Sequence, residues 1–64
     1  MRLDRIKLLT EAARRNLDQK TIAERCGVSR TTISSIYRGA SCSAKTATAI
    51  AKALGLSVEE LIED

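Results

Sequence analysis

Apolar positions recur along this chain at helical spacing in five separate stretches, and between them stand residues suited to starting or stopping a helix. The clearest stretch is Gln19 to Gly39. Asp18 can accept hydrogen bonds from the free amides of a first turn, and Gly27 offers a left-handed residue after the last one. Between them Ile22, Ala23 and Cys26 form a narrow apolar stripe, with Lys20, Glu24 and Arg25 on the opposite side. Val28 is apolar in an otherwise polar turn, which places it toward the core between this helix and the next. Ser29 caps that next helix, Ile33, Ile36 and Tyr37 supply its inward face, and Gly39 ends it.

The same punctuation appears on both sides. Upstream, a first helix near 2–15 carries Leu3, Ile6, Leu9 and Ala13 on one stripe with Leu8 and Ala12 beside it. Its outer side holds Arg5, Lys7, Glu11, Arg14 and Arg15, the last two in a final turn whose dipole favours cations and within reach of a phosphate. Downstream, Ala40 to Ser43 is a small polar loop, and Ser43 caps a fourth helix with Ala47, Ile50, Ala51 and Leu54 inward. Gly55 stops it and Leu56 returns to the core. Ser57 with Glu60 forms a capping box for a short fifth helix edged by Val58, Leu61 and Ile62. The pattern predicts an all-α, compact five-helix bundle filling one domain, 1–64, with helices near 2–15, 19–26, 30–38, 44–54 and 58–63. Its expected core is Ile6, Leu9, Ala13, Leu17, Ile22, Cys26, Val28, Ile33, Ile36, Ile50, Leu54, Leu56 and Leu61.

Composition narrows the function classes. With Tyr37 as the sole aromatic residue the core must be aliphatic, and a chain of this size buries only about 60% of its unfolded surface. There is no run of about 18 apolar residues for a membrane span, and charges interrupt the apolar residues of Leu3 to Leu9 where a signal sequence would need continuity. The expected location is the cytoplasm. Absence of histidine and of a Gly-rich phosphate loop argues against catalysis and against a bound cofactor. Cys26 and Cys42 lack the further ligands of a zinc site. Two reduced thiols are expected, Cys26 as a small buried hydrophobe and Cys42 in an exposed loop open to oxidation.

Charge is unevenly distributed. Residues 1–38 hold nine Lys and Arg against four Asp and Glu, whereas residues 39–64 hold two against four. The basic part contains the central helix pair, which favours a polyanionic partner on that side. The outward positions of the second helix of that pair are Arg30, Thr31, Thr32, Ser34, Ser35 and Arg38, a face of hydroxyls and guanidinium groups without a carboxylate. Such side chains pair with base edges and phosphate oxygens. They also suit an ordinary polar surface, and composition alone does not separate the two.

Taken together, Gln19, Ile22, Ala23, Cys26, Gly27, Val28, Ser29, Ile33, Ser34, Ile36, Arg38 and Gly39 resemble the helix-turn-helix of the lambda-repressor-like, Cro-type DNA-binding domains, also called the xenobiotic response element family. The run Ile50 to Leu61 is similar to the fourth helix and fifth-helix start of those domains. The resemblance implies a transcriptional regulator of repressor type that binds double-stranded DNA as a homodimer, with the Val58, Leu61 and Ile62 edge as the candidate contact between copies. It implies base reading by Arg30, Thr31 and Ser35, with Thr32 next along the groove. Resemblance and dipole geometry together imply phosphate contacts from Gln19, Ser29, Arg38, Ser41, Ser43 and Lys45. Two departures stand out: Tyr37 occupies a position where many members carry Glu, and the loop around Cys42 lacks a proline. Tyr37 is expected to cover the core with its ring and turn its hydroxyl to solvent or a phosphate. The alternative to DNA binding is a protein-interaction module with weak or no affinity for DNA, disfavoured because the Arg30 to Arg38 face offers no large apolar anchor.

Overall fold

The computed structural model describes residues 1–63, and Asp64, the last position of the expected domain, lies outside them. Five helices follow in order: α1 Arg5–Arg14, α2 Gln19–Cys26, α3 Arg30–Tyr37, α4 Ala44–Leu54 and α5 Val58–Leu61. The central element is α2, which packs on both α3 and α4, while α1 lies against α3 and α5 against α4. Among the described residues the only β pairing is an isolated antiparallel bridge from Leu3 to Ile62. No helix among them is long and apolar enough to cross a membrane.

Each helix begins where a side chain replaces a missing backbone acceptor. The Asp4 carboxylate accepts from the amides of Ile6 and Lys7, that of Asp18 from Thr21 at 2.8 Å, and the Ser29 and Ser43 hydroxyls from Thr32 and Thr46 at 3.1 Å. At α5 the reach is reversed, with the Glu60 carboxylate accepting the Ser57 amide at 2.9 Å.

The first four helices also end alike, in paired bonds around one left-handed residue. In α2, Gly27 at φ 71° gives its N–H to Glu24 and Val28 gives its N–H to Ala23. In α1 the same closure is built on Asn16 at φ 54°, with Leu17 bonded back to Ala12. Asparagine tolerates this region better than other residues with a Cβ. After three of the closures the next residue, Leu17, Val28 or Leu56, packs against the core, so the bond that ends a helix also aims the chain inward.

The core consists of Leu3, Leu8, Ala12, Ile22, Ala23, Ile33, Ile36, Ala47, Ile50, Ala51, Leu54 and Leu61, with Leu17, Cys26, Val28, Tyr37, Cys42, Leu56 and Val58 packed on it half-buried. The expected inward faces of α2, α3 and α4 are therefore correct. The expected stripe of α1 is not. Ile6 is 72% exposed, Leu9 is 45% exposed and Ala13 faces solvent, while Leu8, Glu11 and Ala12 are buried. The buried side of α1 runs through Leu8, Glu11, Ala12 and Arg15, so half of it is charged and its hydrophobic periodicity is hidden. The two arginines make this possible: Arg15 meets Glu11 at 2.6 Å and Arg14 at 3.2 Å. Their guanidinium groups, more than the surrounding protein mass, shield the carboxylate from water.

The ends of the chain also depart from expectation. Residues 1–4 are extended instead of helical, because Asp4 caps α1 and the residues before it pair elsewhere. Cys42 gives its N–H to the Met1 carbonyl at 2.7 Å, Asp4 to Leu61 at 2.7 Å, and Glu63 to Arg2 at 3.0 Å. Cys42 is consequently half-buried, not an exposed loop thiol, and α5 stops at Leu61 instead of reaching 63 because Ile62 turns extended to pair with Leu3.

Urea unfolding should separate the two faces of α1. Leu8→Ala removes a fully buried side chain and should cost about 2–5 kcal/mol. Leu9→Ala should cost less than about 1 kcal/mol.

Candidate nucleic-acid interface

At the junction of α2 and α3 the surface dips into an open depression of about 490 Å³ lined by Gln19, Arg30, Thr31, Ser34, Ser35 and Arg38. Five of the ten residues singled out from the sequence, Gln19, Arg30, Thr31, Ser35 and Arg38, thus share one concavity. Their convergence has a local cause. On a helix of 3.6 residues per turn Arg30, Thr31, Ser34, Ser35 and Arg38 fall on one face, and the Gly27 turn swings the start of α2 across to bring in Gln19. No carboxylate lines the depression among the described residues. Ser34 belongs to it although sequence reasoning gave it no role; its place one turn after Arg30 was the available signal.

The remaining candidates sit around the rim or away from it. Thr32 is exposed but does not line the depression, and its hydroxyl lies 2.9 Å from that of Ser29, so these two side chains form one capping unit at the start of α3. Ser43 is engaged in the same way with Thr46 at 3.1 Å. Ser41 is exposed in the turn before α4. Lys45 lines a separate hollow with Cys26, Gly27, Val28, Thr46 and Ala49. The arrangement is one dense cluster of donors flanked by two helix N-termini.

Two supports for the cluster were not foreseen. The Arg5 guanidinium donates to the Arg38 carbonyl at 3.5 Å and Arg2 to the Gly39 carbonyl at 3.2 Å, tying the end of α3 to the N-terminal segment. Asp18 lies close enough to Arg30 and Tyr37 to act on both electrostatically. The bonds from Thr21 are the main reason that its carboxyl titrates below the usual range, with Lys20 and Arg30 adding to the effect.

Tyr37 departs from its expected role. Its hydroxyl is turned away from solvent and has no hydrogen-bond partner among the described residues. Burial, and then the nearby Asp18 carboxylate, raise the phenol pKa. Burial likewise raises both thiols, so Cys26 and Cys42, both free, are held in the less reactive protonated form.

Two predictions follow from this electrostatic layout. Tyr37→Phe removes an unsatisfied buried hydroxyl and should stabilise the fold by about 1 kcal/mol, read as a higher thermal midpoint. Glu11 is also held below the usual carboxylate range, first by its bond to Arg15 and then by the charges of Arg14, Arg15 and Lys7. Because Glu11 and Asp18 both bind protons more weakly when folded, their stabilisation is complete above the carboxylate range and vanishes as pH falls through their lowered folded values. The melting temperature should hold from neutral pH to about pH 5 and drop below about pH 4. Glu11→Gln combined with Asp18→Asn should flatten that acid limb.

Comparison with known proteins agrees with this geometry. A family model described as helix-turn-helix matches residues 6–61, most of the chain, including both motif helices and the α4–α5 segment. No curated protein and no solved structure matches significantly. The matched family is one of DNA-binding regulatory domains and not of enzymes. An all-helical bundle, paired α2 and α3 with an acid-free cationic concavity, and a family match over residues 6–61 place this chain in the lambda-repressor-like, Cro-type helix-turn-helix family of DNA-binding regulators.

Proposed function

We propose that the chain is a single-domain transcriptional repressor that acts in the cytoplasm and reads a specific duplex sequence by laying α3 in the major groove. The observation that carries this reading is the depression itself: Arg30, Thr31 and Ser35, the base-reading candidates, share one concave surface with Gln19 and Arg38. In this reading the Arg30 fork meets the two acceptors on a guanine edge, and Thr31 offers a methyl to thymine together with a hydroxyl. Ser35 is short enough for the helix to approach closely. Thr32 faces the groove beside its capping bond to Ser29. Gln19, Ser29, Arg38, Ser41, Ser43 and Lys45 meet phosphates, and their contacts fix the register without reading sequence.

One domain of this size covers few base pairs, so the regulator binds as a two-fold dimer on half-sites about 34 Å apart. Of the three residues first considered for the contact between copies, Leu61 is fully buried inside the monomer. Half-buried Val58 and Ile62 remain available for that contact.

Selection from a randomised operator library, repeated across a salt series, tests the assignment. Arg30→Ala should relax preference at a single guanine in each half-site, losing about 1–3 kcal/mol of discrimination there. Lys45→Ala should weaken all sequences equally and flatten the salt dependence by about 0.9 in log–log slope. A sequence preference left unchanged by Arg30→Ala overturns the base-reading role, and binding indifferent to salt overturns the DNA reading altogether.

A further inference from the structure

The exposed large hydrophobic residues of this molecule, Met1, Ile6 and Leu9, all fall in its first nine positions. Two of them share a helix face. At about 100° per residue, Ile6, Leu9 and Ala13 lie within about 60° of one another on α1, on a side turned away from buried Leu8 and Ala12. A domain with so few large side chains to bury leaves an isoleucine 72% exposed and a leucine 45% exposed on one stripe. No residue of α1 lines the depression at α3, so DNA recognition does not account for the stripe.

The charges around the stripe specify what fits it. Arg5 borders Leu9 on one side, and beyond Thr10 on the other stand Lys7 and Arg14. The two carboxylates nearby are already engaged: Asp4 accepts from the amides of Ile6 and Lys7, and Glu11 is covered by Arg14 and Arg15. From these observations we propose that the outer face of α1 docks an acidic amphipathic helix of a partner protein, with apolar side chains seated along Ile6, Leu9 and Ala13 and carboxylates on Arg5, Lys7 and Arg14. A second copy of α1 is a poor occupant, because self-pairing sets these three cations against their equivalents. An anionic bilayer is also a poor occupant, since the apolar strip is narrow, lacks an aromatic residue and is only ten residues long. A helix of matching length, about 15 Å, spans the face from Arg5 to Arg14 and meets both its apolar and its cationic parts.

The test uses the whole chain and a synthetic helical peptide of about 16 residues, built from Ala, Glu and Leu with leucines at i, i+3 and i+7. Saturable binding should perturb the amide resonances of Arg5 to Arg14 and weaken with salt. Ile6→Ser with Leu9→Ser should reduce affinity at least about tenfold without lowering the melting temperature, because both sites are exposed. A peptide of the same composition with scattered leucines, and one with Lys replacing Glu, should not bind. Equal binding of the scattered peptide, or wild-type affinity in the double variant, overturns the proposal. Binding of phosphatidylglycerol vesicles in place of the peptide overturns it in favour of a membrane. Sedimentation showing that the double variant abolishes self-association, with no peptide binding, overturns it in favour of a second copy.

Discussion

The helix ends of this domain are closed by their own backbone, and the rest of the structure depends on that closure. A chain this short has little apolar surface to bury, so free amides and carbonyls at ten helix termini would be a heavy burden if left to loops. The left-handed residues at Asn16, Gly27, Gly39 and Gly55 satisfy the last carbonyls within one turn. They also set direction, since the bond from Val28 to Ala23 turns the chain at Gly27 and fixes α3 across α2. An added Cβ at Gly27 would meet no neighbouring atom within 4 Å, so the requirement for glycine there comes from the backbone angle and not from crowding.

These closures made much of the fold legible. Asp18, Ser29 and Ser43 announce α2, α3 and α4, glycines announce their ends, and the apolar stripes between them are uninterrupted by charge. On α1 the sequence misleads, because Glu11 and Arg15 occupy the inner face and neutralise each other there, whereas Ile6 and Leu9 point outward. Hydrophobic periodicity records the cost of exposing a residue to water; it does not register an ion pair that shields itself. The extended N-terminal segment was unreadable for another reason. Leu3 is buried by pairing with Ile62, a contact between residues too distant in sequence to leave a periodic trace.

The recognition surface shows the same division. Positions on one helix face, such as Arg30, Thr31, Ser35 and Arg38, are brought together by helical geometry alone, and Gln19 joins them through the turn. What spacing could not convey was the supporting chemistry: Asp18 set near Arg30, Arg5 bound to the carbonyl of Arg38, and the Tyr37 hydroxyl enclosed without a partner. Each is a contact between elements. Together they hold α3 from behind, leaving the guanidinium groups on its outer face with no carboxylate beside them in the depression.

The stitching of residues 1–4 to Cys42, Leu61 and Glu63 has a kinetic consequence. Contacts among α2, α3 and α4 join neighbours in sequence, whereas the bond from Asp4 to Leu61 closes nearly the whole chain into a loop. Loop entropy makes such closures unfavourable until the intervening helices are in place. The terminal clasp therefore forms last and opens first. In between lies a state in which the clasp has opened and Arg2 has left the Gly39 carbonyl, while α2 and α3 keep their mutual angle. The surface that faces DNA is thus built from the early-forming, late-melting part of the chain, and fluctuations of its ends reach that surface only through the tether at the end of α3.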